Sequence, residues 1–172
     1  MKRLIVFAVV ATAAFAQTAF AAAKLDEAKL VRLLECRPES ADMKTPALDG
    51  LPTLGDKHPL VRSKAAPSGA QKLPKPITAN GISGDVVFAT GYNIFIVVPS
   101  PKPADDIMKT AKRLGISTAD FNPEFPIYAF TKPQPSKVVD VNGRKLDEMR
   151  LAVYQGMSGP ETDRYFLAGC EF

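Results

Sequence analysis

The sequence predicts an α+β domain: a mostly antiparallel sheet with two helices packed on one of its faces. Three observations predict it. Residues 85–98 form a dense run of β-branched and aromatic side chains interrupted by Gly91-Tyr92-Asn93, which reads as two strands and a tight turn. Residues 24–35 and 104–114 repeat apolar residues at helical spacing. The rest of the apolar sequence falls into short strand-like runs at 126–131, 137–141, 149–155 and 164–172. No internal repeat is present.

The chain opens with Met1-Lys2-Arg3, an apolar run from Leu4 to Ala16 and a small-residue tract ending Ala21-Ala22-Ala23. This pattern predicts a secretory signal peptide over residues 1–21, with cleavage as late as 23 as the alternative. The apolar centre is short for a membrane anchor, and no later stretch is long and apolar enough to span a bilayer. Without Lys2 and Arg3 the formal charge falls from +4 to +2, so the composition does not indicate a nucleic-acid-binding protein. About 150 residues remain, enough for one domain, 24–172, with its own core. Two cysteines, Cys36 and Cys170, lie near its ends, and in an oxidising compartment they are expected to pair. Such a bond would tie the first helix to the last strand.

Each element has its own justification. In 24–35, Leu30, Val31, Leu33 and Leu34 make the apolar stripe, Asp26 and Glu27 suit the helix N-terminus, and Pro38 forbids continuation. From 38 to 83 the pattern dissolves: seven of the fifteen prolines fall there, and the segment is expected to be long and irregular. Residues 41–48 suit a helical turn, and 77–79 an edge strand blunted by Pro74 and Pro76. The second strand of the central pair is apolar on both faces, with Phe95 and Val97 opposite Ile94, Ile96 and Val98, and belongs inside a covered sheet. Pro103, Asp105, Asp106 and Gly115 punctuate the second helix. Ser117-Thr118-Ala119-Asp120 reads as a capping box for a short turn, Asn142-Gly143 as a hairpin turn, and 145–148 as a further helical turn. In the last strand Phe166, Ala168, Cys170 and Phe172 share one face and Tyr165 and Leu167 the other.

With Leu33-Leu34-Glu35-Cys36 closing the first helix, Arg113-Leu114-Gly115 closing the second and a final strand carrying Cys170, the chain resembles uncharacterised small secreted or periplasmic α+β proteins of Gram-negative bacteria. The resemblance covers most of the mature chain. It implies a fold and a compartment, and it assigns no catalytic residue.

Catalytic chemistry is sparsely supplied. The sole histidine, His58, sits in a basic loop and reads as a solvated residue; one His and two paired Cys cannot close a zinc site. Ser83 and Ser158 miss the nucleophile-elbow spacing, and no glycine-rich phosphate loop or other cofactor motif occurs. The carboxylate pairs Asp105–Asp106 and Asp147–Glu148 are the remaining candidates, and helix-dipole stabilisation already accounts for the first. Tyr92, Tyr128, Tyr154 and Tyr165 read as rims of the core rather than as a recognition surface.

What stands out is charge. No acidic residue occurs between Asp56 and Asp85, so Lys57, Arg62, Lys64, Lys72 and Lys75 form a local excess of positive charge in a proline-rich setting. The sequence therefore predicts a monomeric, non-catalytic secreted or periplasmic domain without metal or cofactor. Segment 57–75 is expected to contact a protein or an anionic envelope component. The alternatives are an inhibitor presenting a stapled loop to a hydrolase, and a carboxylate enzyme, which would need a deep pocket lined by acids from distant segments.

Overall fold

The computed structural model describes residues 25–45, 47–91, 93–122, 125–140, 142–146, 148–155 and 163–172. The expected leader over 1–23, and with it Tyr92, Val141, Asp147 and Ser158, lies outside the described residues.

Seven strands form a single sheet: β1 (Gln71–Ala79), β2 (Ile82–Thr90), β3 (Asn93–Pro99), β4 (Thr118–Asn122), β5 (Phe125–Pro135), β6 (Glu148–Gln155) and β7 (Tyr165–Glu171), in spatial order β1-β2-β3-β7-β6-β5-β4. Every neighbouring pair is antiparallel. The helix α3 (Pro103–Arg113) carries the chain from β3 to the far edge, and three hairpin-like returns bring β7 back beside β3. The strands that end up central are the two whose residues are apolar on both faces. Ile94, Phe95, Ile96 and Val97 are all buried, as is all of β7 from Tyr165 to Cys170.

On one face α1 (Glu27–Leu34) and α3 pack against the sheet, as the sequence predicts. Leu30, Leu33 and Leu34 meet Ile94, Ile96 and Cys170 in one apolar cluster that also takes in Ile107 and Ala111 of α3. Cys36 and Cys170 are bonded, closing a separation of 134 residues with both side chains buried. Asp26 caps α1 by accepting from the Lys29 amide at 3.0 Å. Cys36 ends the helix in the left-handed region, φ 56°, where glycine is the usual residue. A glycine there could not form the bond.

The opposite face is covered by residues 52–70, which the sequence does not reveal as an organised cover. Leu54, Ala66 and Ala70 are buried against Val86, Phe95, Val97 and Leu167, with Leu60 and Val61 of α2 (Pro59–Arg62) packed beside them. Backbone bonds hold this strap: the Leu54 amide donates to Ala70, the Gly69 amide to Leu54, and the Lys72 amide to Pro52.

The structure departs from expectation in four further places. The irregular stretch ends at 70, because β1 runs through Pro74 and Pro76 with its register broken between Lys72 and Ile77; on an outer edge the missing amides cost nothing in the ladder. Of residues 117–120, Thr118 to Asp120 belong to β4 instead of a capped turn. Of the strand expected at 137–141 and the helical turn expected at 145–148, the described residues show a single bridge, Val139 to Lys145, and Glu148 already opens β6. The strand expected at 126–131 continues to Pro135. Its partner β4 begins opposite Thr131, so Pro133 and Pro135 have no ladder partner on that side among the described residues.

Candidate binding surfaces

The five cations singled out by the sequence do not form one surface. Lys75 pairs with Glu27 of α1 at 3.0 Å, on the helical side of the sheet. Lys72 pairs with Asp85 of the adjacent strand. Lys57, Arg62 and Lys64 remain together and exposed around α2, on the strap that covers the other face. Here the tertiary structure adds residues that the sequence reading missed. The Arg164 amide donates to the Lys64 carbonyl at 2.7 Å, and the Ser100 amide donates to the Arg164 carbonyl at 2.7 Å. Three remote segments are thereby laid side by side where β3 ends and β7 begins. Lys64 and Arg164 are exposed here, as is Lys102, two residues beyond Ser100. No local signal marks Arg164 as a member, since it lies 100 positions from Lys64.

His58 is placed for capping, not left in solvent as expected: its Nδ1 accepts from the Leu60 amide at 3.3 Å, and Pro59 takes the first helical position of α2. Asp106 accepts from the Ser100 hydroxyl at 2.6 Å and from Lys109 at 3.3 Å. The Ser100 bond holds its carboxyl below the ordinary carboxylate range. Glu148 pairs with Arg150 at 2.9 Å on the strand surface. Ser83 shares a 2.6 Å hydrogen bond with Thr78 across β1 and β2. Tyr165 is buried, and Tyr154 packs edge-on against Phe95 with ring centroids 5.4 Å apart, so both belong to the second apolar cluster.

At the opposite end of the sheet lies a cleft of about 460 Å³. Its walls come from α1, a 3-10 turn at Asp42–Lys44, the β2–β3 tip and Phe172. Asp42 and Asp140 line it from distant segments, the arrangement a carboxylate enzyme would need. Their bonding points elsewhere. Asp42 accepts from Arg32 Nε at 2.8 Å, from Arg32 Nη2 at 2.6 Å and from the Glu39 amide at 2.9 Å. The Arg32 guanidinium holds the carboxyl below its ordinary range, whereas a general acid needs the reverse shift. Asp140 Oδ1 accepts the amides of Asn142 and Arg144, both at 2.8 Å, and so builds the turn that follows it. Lys29, buried, donates to the Thr45 carbonyl at 2.6 Å and to its hydroxyl at 2.7 Å, which pins the 42–45 segment to α1.

Among the described residues no group of three or more potential metal ligands is gathered, and no helix is long and apolar enough to cross a membrane. Compared with protein-family models, with curated proteins and with solved structures, the chain matches none.

Proposed function

We propose that this protein is a non-catalytic secreted or periplasmic binding domain that contacts an anionic partner through the basic end of its sheet. The observation that carries the reading is the backbone stitching of Lys64 to Arg164 and of Arg164 to Ser100. It joins the backbones of three segments that carry exposed cations: Lys64 on the strap, Arg164 before β7 and Lys102 on the approach to α3, with Arg62 and Lys57 flanking α2 on the same strap. Clustered cations on a rigid support attract a polyanion, and the attraction is screened by salt over roughly 8–10 Å. Lys72 and Lys75 drop out of the contact region, because each already has a carboxylate partner. The compartment is supported by the basic, apolar and small-residue order of residues 1–23 and by the bonded cysteines.

The test compares two charge reversals of equal size. Lys64→Glu with Arg164→Glu removes the centre of the surface, and Lys109→Glu with Lys112→Glu changes net charge identically on α3. Binding to long-chain polyphosphate is expected to weaken steeply with salt in the wild type, to vanish in the first variant and to persist in the second. Stability should move by no more than about 0.5 kcal/mol in the first variant and by about 1 kcal/mol in the second, which breaks the exposed Lys109–Asp106 pair. Equal loss in both variants would reduce the effect to net charge.

A further inference from the structure

The cleft at the far end of the sheet is independent of the basic surface. Asn93 borders it at one end of β3, while Pro99 at the other end pairs with Tyr165 beside Arg164. A seven-residue strand separates the two by roughly 20 Å. The cleft volume, about 460 Å³, falls in the range of small-molecule sites. Leu33, Met43, Leu48, Ile94 and Phe172 give it an apolar lining, and Ala89 and Gly91 leave its mouth open.

The charges around it decide what can enter. Both buried carboxylates have their partners, Asp42 in Arg32 and Asp140 in the 142–144 turn, and the buried Lys29 ammonium is engaged by Thr45. Lys44 and Asp49, exposed at the rim, are one of each sign. Drawn past the rim, where Lys44 and Asp49 stand, an ionic head group would surrender hydration and find no uncommitted counter-charge inside, a large penalty in an apolar site. An uncharged molecule meets no such penalty. Gln71 is one of the uncharged polar side chains that line the space, with Thr45 and Asn93, and its amide nitrogen donates to the Leu48 carbonyl at 3.0 Å. Its carbonyl oxygen takes no hydrogen bond from the described residues.

We propose that this cleft binds an uncharged lipophile bearing a hydroxyl, with its chain against Leu33, Leu48, Ile94 and Phe172 and its hydroxyl donating to Gln71. The experiment uses the full oxidised chain and three probes of equal length: 1-octanol, octanoate and octylammonium, titrated by calorimetry. Octanol should bind saturably and about tenfold or more tighter than either ion, a difference easily resolved. The Met43 methyl resonance should shift with octanol occupancy. Ala89→Trp, at an exposed strand position, should fill the mouth and weaken octanol binding at least about tenfold with the melting transition retained. The Lys64→Glu and Arg164→Glu variant should bind octanol as the wild type does, which separates failure here from failure of the anionic-partner reading. Equal affinity for the ions, no saturable octanol binding, or octanol binding that leaves Met43 unshifted would each overturn the proposal.

Discussion

Single side chains show how few polar groups are spare in this molecule. Asp42, with a side chain only 5% exposed, serves Arg32 and the Glu39 amide at once. Its pKa is lowered in the folded state, so its contribution is fully present above the unfolded value of about 4 and is lost as pH falls through the folded value. Asp42→Asn should therefore cost about 1–3 kcal/mol at neutral pH, and urea unfolding well below about pH 4 should show the gap to wild type closing. A gap independent of pH would mean that packing, not charge, is at stake. Gln155 is the opposite case. It is 1% exposed beside Phe166, and neither its amide nitrogen nor its oxygen meets a partner among the described residues. Gln155→Met keeps the shape and removes both unsatisfied atoms, and should raise unfolding free energy by about 1–2 kcal/mol in the same assay. A loss of stability would show that the amide is engaged.

Elements are held by close approaches that a single methyl can test. Gly169 of β7 lies opposite Phe95 of β3, and a Cβ there would strike the Ile94 carbonyl oxygen and sit 2.8 Å from the Phe95 Cα. Backbone in the middle of a sheet has nowhere to move. Gly84 of β2 instead faces the Ile96 side chain, whose Cγ2 would lie 2.5 Å from a new Cβ, and a side chain has rotamers to try. Both alanine variants are overpacked, at a typical cost of about 1–3 kcal/mol. Gly169→Ala should fall at or beyond the upper end and exceed Gly84→Ala, as thermal unfolding would record. The reverse order would mean that β3 and β7 can part more readily than Ile96 can turn.

At the scale of the molecule the Cys36–Cys170 bond fastens the end of α1 to the central strand. In the chain-entropy model a closed loop of 134 residues is worth roughly 5 kcal/mol, and measured values for native bonds run about 2–5. Replacing both cysteines by alanine should lower stability by that range, read as a lower urea midpoint with a somewhat steeper slope, because the freed unfolded chain expands. Both sulfur-bearing residues are nearly inaccessible, at 3% and 0% exposure, so reductant should act on the native protein only through unfolding. Rapid reduction without loss of structure would show that the seam between α1 and β7 opens locally. The same arrangement places the basic end and the cleft at opposite ends of one sheet.

Much of this architecture is local, and local patterns are legible in a sequence. The apolar stripes of α1 and α3, the two-sided apolarity of β3 and β7 and the face on which Cys170 lies all follow from periods of 3.6 and 2. These patterns also imply the α+β class and the cysteine pair, because each depends on residues a few positions apart or on a count. The rest depended on partners remote in the chain. Thr118–Asn122 has the look of a capped turn and becomes a strand because β5 offers it an edge. Pro74 and Pro76 speak against a strand until β1 is seen to lie outermost. The strap over the second face, the approach of Arg164 to Lys64 and the enclosure of the cleft by Asp42, Ile94 and Phe172 are likewise non-local. Spacing along the chain determined α1, α3 and the central strands, and the count of two cysteines determined which residues are bonded. Only the tertiary structure decided which charges are neutralised, which remain together, and where an apolar space is left open, because each of those is settled by neighbours brought in from elsewhere.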